Sequence, residues 1–297
     1  MERELIECVP NFSEGRNPEK VQEIETAIRS VPGVFLLRAE RDPDHNRSVI
    51  TFAGAREAVA EAAFRGIEKA VQLIDLTRHG GVHPRIGGAD VVPFVPLEGA
   101  TIEDCARIAH SLGERVWNSL GVPVYFYEAA ARDPSRAALE NIRRGGFENH
   151  TLAPDLGGPA LHPTAGACVI GARKLLIAFN LHLDTSDVAI AQSIARKIRG
   201  SSGGLRSLKA IGVYLASRNI AQVSMNLTDF EQTPLHEVFN AAVAAARAHG
   251  VTVTGSQIVG LVPKKALELA AAHYLQVENF QSGLILENAI AEARKRP

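Results

Sequence analysis

The residues best suited to chemistry lie in one glycine-rich stretch, residues 77–90, with two histidines and two arginines. His79 and His83 are four residues apart, which is the spacing of two metal ligands on one helix. The glycines and the proline between and beside them disfavour a helix, and no nearby thiol or acidic group completes a ligand set. We therefore predict a loop that binds no metal, and keep a metal-dependent hydrolase as the minor alternative.

His83 is a candidate general acid/base, because imidazole titrates near neutral pH and can move a proton between two nitrogens. The residues alone leave open a loop histidine that merely satisfies backbone carbonyls. Arg85 offers a planar fork for a substrate carboxylate, and a surface ion pair explains it equally well. Arg47 is a second candidate for the carboxylate.

The elements around this loop follow the order βαββαβ in each half of the chain. In the first half, Asn17 can cap a helix that begins at Pro18 and buries an apolar face. Cys105 is expected to be a buried thiol on another helix. The first-half elements are strands at 5–10, 34–41, 47–52, 91–96 and 122–127, and helices from 18, 55 and 102. Those of the second half are strands at 174–183, 208–215, 220–227 and 251–258, and helices around 191–198, 235–242 and from 263.

This order predicts an α+β protein of two ferredoxin-like (βαββαβ) subdomains, residues 1–173 and 174–297, with a cleft between them. Residues 143–167 between the halves are rich in Gly and Pro, which fits a linker or a functional loop. On the strand at 220–227, Gln222, Ser224 and Asn226 share one face. That face favours solvent, with a polar ligand as the alternative.

Composition narrows the function classes. The chain has 297 residues, is 46% hydrophobic and carries a formal net charge of −1. Its scattered basic residues and 5% aromatic content disfavour a nucleic-acid or membrane partner. Three widely spaced cysteines disfavour a disulfide framework, and no signal-peptide pattern opens the sequence. We expect a cytoplasmic protein.

Several motifs resemble the formiminotransferase domain of the formiminotransferase-cyclodeaminase family. The ten-residue opening Glu7–Arg16 (ECVPNFSEGR) is the most specific, and the His83–Gly87 loop (HPRIG) continues the match. The other similar segments, in order along the chain, are NRSV at 46–49, GVPVY at 121–125, LIAFN at 176–180, AQVS at 221–224 and GSQIVGLVP at 255–263.

The resemblance implies a homodimeric, cytoplasmic transferase of one-carbon groups that uses tetrahydrofolate as co-substrate and serves histidine degradation. The family's catalytic histidine corresponds to His83, and an acidic residue beside it corresponds to Glu40. The family's folate-contacting segment precedes its GARK motif, here residues 171–174. The segment comprises Leu156, Gly157, Gly158, Pro159, Ala160, Leu161, His162, Pro163, Thr164 and Ala165.

The resemblance therefore implies the activity of a glutamate formiminotransferase. N5 of tetrahydrofolate would attack the formimino carbon of N-formimino-L-glutamate, His83 would move the proton, and L-glutamate would leave. Arg47 or Arg85 would hold the substrate carboxylates. A folate-dependent glutamate formyltransferase acting on 5-formyltetrahydrofolate is the alternative.

Overall fold

The computed structural model describes residues 4–295 and divides into two compact units, Met1–Lys174 and Leu175–Pro297. The strands of the first unit are β1 (Leu5–Cys8), β2 (Asn11–Phe12), β3 (Val34–Asp42), β4 (Arg47–Gly54), β5 (Ala89–Glu98), β6 (Val124–Glu128) and β7 (Cys168–Ala172). Its helices are α1 (Pro18–Arg29), α2 (Arg56–Leu73), α3 (Ile102–Leu120) and the single turn α4 (Leu139–Ile142).

The first unit is built on one seven-stranded sheet in the order β3, β4, β1/β2, β5, β7, β6. β1 and β2 are one strand interrupted around Pro10, since proline has no N–H for the ladder. Both parts pair antiparallel with β4 and β5, whereas β7 lies parallel between β5 and β6. The end of β2 and the beginnings of β4 and β5 therefore meet at one end of the sheet, where the chemistry-bearing loops begin.

The helices pack because each presents an apolar stripe to the core. In α1, the Asn17 side chain caps the helix and Pro18 begins it, while Val21, Ile24 and Ile28 are buried, as predicted. Each such isoleucine contributes roughly 1.5–3 kcal/mol by burial. In α3, Thr101 and Asp104 form a capping box, and Cys105 is buried, as predicted.

The second unit is a four-stranded antiparallel sheet in the order β11, β8, β10, β9. Its strands are β8 (Ile177–Leu183), β9 (Leu208–Leu215), β10 (Ile220–Leu227) and β11 (Val253–Val259). Its helices are α5 (Val188–Ile198), α6 (Leu235–Ala248), α7 (Lys264–Tyr274) and α8 (Leu286–Lys295). The apolar faces of α5 and α6 form its core with the sheet.

Two expectations need correction. Residues 168–172, to which no element is assigned from the sequence, form the buried strand β7. A fully covered parallel strand reads as a continuous apolar run without alternation, which hides it from a search for period two. Gln222, for which solvent is the favoured expectation, is 0% exposed, and its side-chain oxygen and nitrogen both lack a hydrogen-bond partner in the described part of the chain.

Within residues 4–295, none of the helices is long and apolar enough to cross a bilayer.

Candidate active site

Three segments of the first unit contact one another at the end of the sheet where β4 and β5 begin. They are residues 11–16, residues 42–47 and the glycine-rich loop, residues 77–90. Ser13 donates from its amide to the Gly88 carbonyl (2.8 Å) and from its hydroxyl to the Gly87 carbonyl (2.7 Å). Asn46, in the left-handed region at φ 48°, accepts from the Gly15 amide (3.0 Å) and donates to the Gly80 carbonyl (3.1 Å). The opening motif thus fixes the shape of the loop that carries the histidines.

Gly15 is required by this close packing. A Cβ atom at Gly15 would lie 2.3 Å from the Asp42 carbonyl oxygen and 2.5 Å from the Arg47 nitrogen. Both neighbours are backbone atoms, which cannot rotate away as a side chain can. Any other residue at this position would push apart the turn that places Arg47.

Asp90 is the buried centre of the site. Its side chain is 0% exposed, and Oδ1 accepts from the backbone amides of Ile86 (2.9 Å) and Gly87 (3.3 Å). Oδ2 accepts from Arg47 Nη1 (3.0 Å) and from Arg143 Nη2. Burial acts to raise the pKa of this carboxyl, but the two guanidinium groups and the Ile86 amide outweigh it and hold the pKa below its usual value. Asp90 is therefore ionised at neutral pH.

Arg47 connects this carboxylate to the candidate base. Its Nε donates to the Asn11 side-chain oxygen (3.0 Å), and its Nη1 lies 3.0 Å from both Asp90 Oδ2 and His83 Nδ1. Burial and the neighbouring Arg143 lower the pKa of Arg47 to about 10, despite the contact with Asp90. Arg47 still carries its charge at neutral pH.

His83 Nδ1 has two close neighbours that require opposite tautomers. The Pro84 carbonyl oxygen, 2.8 Å away, can only accept, so it requires a proton on Nδ1. Arg47 Nη1 requires a lone pair there, but it already has Asp90 as an acceptor. We assign the proton to Nδ1, because this tautomer alone pairs the carbonyl with a donor. Nε2 then carries the lone pair of a base.

The surroundings keep His83 neutral. Burial lowers the pKa of His83 well below its usual value, and the positive charges of Arg47 and Arg143 add to this, while the bond to the Pro84 carbonyl opposes it. The side chain is nevertheless partly exposed. A neutral, accessible imidazole with a fixed tautomer can accept a proton from a bound amine.

Arg85 and Glu40, both predicted site residues, have partners of their own. Arg85 Nη2 donates to the His79 carbonyl (2.9 Å) and to Glu148 Oε1 (2.8 Å), so its charge is paired by Glu148 of the segment 143–167. Glu40 lies on the edge strand β3, where it accepts from Arg38 Nε (2.7 Å). Arg47 is the predicted site residue whose side chain contacts the His83 ring.

His79, the other histidine of the loop, is bonded to the backbone. Its Nε2 lies 2.9 Å from the Asn46 carbonyl oxygen, which requires a proton on that nitrogen. Among residues 4–295, no three histidine, cysteine or acidic side chains are grouped so that they could hold a metal ion.

The segment from Leu156 to Ala165 is anchored at both ends and exposed in the middle. Leu156 exchanges backbone hydrogen bonds with Val124, and the Ala165 carbonyl accepts from Gly88 of the glycine-rich loop (2.9 Å). His162 Nδ1 accepts from the Ala165 amide (3.0 Å) and so shapes the turn. Residues 157–160 are exposed. The segment therefore lies beside the His83 loop with four residues open to a ligand.

Sequence reasoning missed two charged members of the site. Asp90 ends the glycine-rich stretch, where the sequence alone assigns it no role, and Arg143 begins the segment predicted to be a linker or a functional loop. Burial is what distinguishes them: an aspartate directly before the apolar run of β5 is a detectable signal, because a charged group there needs a partner. Arg143 carries no such signal, since it lies 53 residues from Asp90 along the chain.

Comparison with known proteins agrees with this architecture. Residues 5–173 match the family described as "Formiminotransferase domain, N-terminal subdomain", and residues 178–293 match "Formiminotransferase domain". The chain is 45% identical to a glutamate formimidoyltransferase of Streptococcus pyogenes serotype M1, over 96% of this chain and 98% of that one. A glutamate formimidoyltransferase of Thermoplasma acidophilum is also 45% identical, over 97% and 98%.

A longer relative shows the same match. The formimidoyltransferase-cyclodeaminase of Sus scrofa is 46% identical over 93% of this chain, and the match spans 53% of that protein. Because the two family matches together cover nearly the whole chain, this protein belongs to the formiminotransferase family.

Proposed function

We propose that this chain is a glutamate formimidoyltransferase, which moves the formimino group of N-formimino-L-glutamate to N5 of tetrahydrofolate and releases L-glutamate. The observation that carries the proposal is the neutral His83 imidazole. Its Nδ1 proton is held by the Pro84 carbonyl, and Arg47 and Asp90 lie behind it, in a chain of this family.

His83 supplies the proton transfer. When N5 of tetrahydrofolate bonds to the formimino carbon, that nitrogen must lose a proton, and the amine nitrogen of the departing glutamate must gain one. His83 Nε2 accepts the first and returns it to the second. Its Nδ1–H bond to Pro84 persists through both steps, so the ring does not have to turn.

The folate is assigned to the segment Leu156–Ala165. Its anchored ends and exposed centre provide backbone groups beside the His83 loop without requiring the loop to fold on binding. Glu40 is assigned the role of the acidic residue that the family has beside its catalytic histidine. Arg47 is assigned to bind the substrate carboxylate. Arg85 is the weaker candidate for the carboxylate, because Glu148 already pairs its charge.

The finer architecture is proposed on the same basis. The two subdomains, residues 1–173 and 174–297, are each assigned a ferredoxin-like core. In the first unit, the interrupted strand β1/β2 lies between β4 and β5, and in the second, β8 lies between β10 and β11. In both, the first strand of the βαββαβ order is thus flanked by its third and fourth strands, which supports this assignment. A cytoplasmic homodimer is proposed from the family resemblance, and light scattering of the purified protein measures the dimer directly.

Replacing His83 with Ala tests the function. Turnover of N-formimino-L-glutamate with tetrahydrofolate should fall by about 10²–10⁴-fold, with little change in the KM for tetrahydrofolate. His249→Ala is the matched control, because His249 is exposed and contacts only Ser193 among the contacts described here. Unchanged turnover in His83→Ala contradicts the assignment. Running N-formyl-L-glutamate in parallel separates formimino from formyl transfer.

A further inference from the structure

The cluster behind His83 carries more positive than negative charge. Arg47 and Arg143 contact the same oxygen of Asp90, so two guanidinium groups share one carboxylate. The other Asp90 oxygen is already occupied by two backbone amides. The cluster therefore has a formal charge of +1 in a largely buried setting, where the exposed fractions of the Arg47 and Arg143 side chains are 12% and 11%. A second anion would relieve this excess.

Arg143 also has donor capacity that the protein does not use. Its Nη2 donates to Asp90, while its Nε is buried and has no hydrogen-bond partner within residues 4–295. Buried donors are nearly always paired, and an unpaired one calls for an explanation such as a missing ligand. Arg85 also has an unpaired Nε, but Glu148 neutralises its charge. The excess charge is thus at Arg143 and Arg47.

We propose that Arg143, together with Arg47, binds a carboxylate of the glutamate substrate, and that this anion strengthens His83 as a base only once the substrate is bound. The inference rests on the proposed function, which supplies a substrate with two carboxylates. Arginine is suited to this role because its fork matches a carboxylate geometrically. The Arg47 and Arg143 side chains are 12% and 11% exposed, and the anion binds at these exposed parts.

The coupling follows from the charges that surround His83. Burial disfavours the imidazolium most, the charges of Arg47, Arg143 and His45 add to this, and the Pro84 carbonyl opposes it. Without substrate, the base is therefore weak. A carboxylate on Arg143 offsets one positive charge within several ångströms of the ring, and an opposite charge at such distances raises a pKa by about one unit. Binding of the carboxylate forms no covalent bond, so the change in the His83 pKa is a purely electrostatic effect.

The test uses the full chain and L-glutamate, the expected product, as the probe. NMR titration of the His83 imidazole, identified by its loss in His83→Asn, should show a rise of about one pKa unit at saturating L-glutamate. In Arg143→Gln, L-glutamate should bind roughly ten- to a hundredfold more weakly, and the rise should vanish. Arg143→Lys keeps the charge and should retain most of the rise with reduced affinity.

Arg144→Gln is the matched control, because the adjacent Arg144 is exposed and reaches only the Asn141 side chain at 3.4 Å. Wild-type affinity for L-glutamate in Arg143→Gln overturns the binding role, and a His83 pKa that glutamate does not move overturns the coupling. Failure of the proposed function has a different signature: the wild-type protein would transfer no formimino group, whatever L-glutamate does at Arg143.

Discussion

Replacing Asp90 with Asn should destabilise the first unit strongly. The substitution keeps the volume of the side chain and one acceptor for the Ile86 amide, but it leaves Arg47 and Arg143 without their shared carboxylate. Removing one partner of a buried ion pair costs about 3–5 kcal/mol, because the remaining charge stays buried. Since Asn preserves the backbone contacts, we expect about 3 kcal/mol, a large share of a typical stability of about 5–15 kcal/mol.

Urea unfolding followed by tryptophan fluorescence measures this loss. Trp117, the single tryptophan of the chain, lies on α3 and so reports the first unit. With a slope of about 2 kcal/mol per molar urea, the midpoint should fall by roughly 1.5 M. Asp133→Asn is the matched control, because Asp133 is an exposed cap where Asn serves equally well.

The effect should also depend on pH in a defined direction. The pKa of Asp90 is lower in the folded protein than its usual value of 3.8, so folding favours the ionised form. The stabilisation is therefore fully present above about pH 4 and is lost as pH falls through the lower folded-state pKa. The wild-type and Asp90→Asn midpoints should converge in acid. Equal midpoints at pH 7, or a gap that widens in acid, would refute the charge argument.

Three further outcomes are expected. Activity should survive exhaustive dialysis against a chelator, since His79 Nε2 donates to a backbone carbonyl; loss reversed by one divalent ion would favour a hydrolase. His162→Ala should raise the KM for tetrahydrofolate about fivefold or more with little change in kcat, and His162→Asn, which keeps an acceptor, should restore it; an effect confined to kcat would contradict the folate assignment. Gly15→Ala should lower the unfolding midpoint clearly, whereas Gly158→Ala, which meets nothing within 4 Å, should not; equal midpoints would show that the backbone at Gly15 can yield.

Local signals in the sequence predicted most of the elements. The cap at Asn17, the proline at the start of α1 and the spacing of its buried residues specify that helix without tertiary information. The helix at Cys105 is equally local. The choice of His83 and its loop as candidates depends on the motif resemblance, since a single histidine beside a proline carries little information by composition alone.

Long-range contacts account for what was missed. β7 is placed between β5 and β6, although β6 and β7 are separated in sequence by the whole central segment, so its role as an interior strand depends on partners that period-two analysis does not see. Arg143 joins the site by a contact across 53 residues. From the sequence, an arginine in a Gly-rich stretch is expected to be solvated, and its contact with the buried Asp90 becomes apparent only in the folded structure.

The composition of the opening motif is explained by the long-range contacts that its residues make. In residues 11–16, Asn11 holds Arg47, Ser13 holds two carbonyls of the glycine-rich loop, and Gly15 allows the turn at residue 46 to approach. Each serves another residue, and His83, to which we assign the proton transfer, lies about 70 positions later. A base carried on a loop has no helix or strand to fix it, so its position depends on such backbone contacts. In this chain the opening motif therefore supports the loop of the proposed base rather than supplying the base itself.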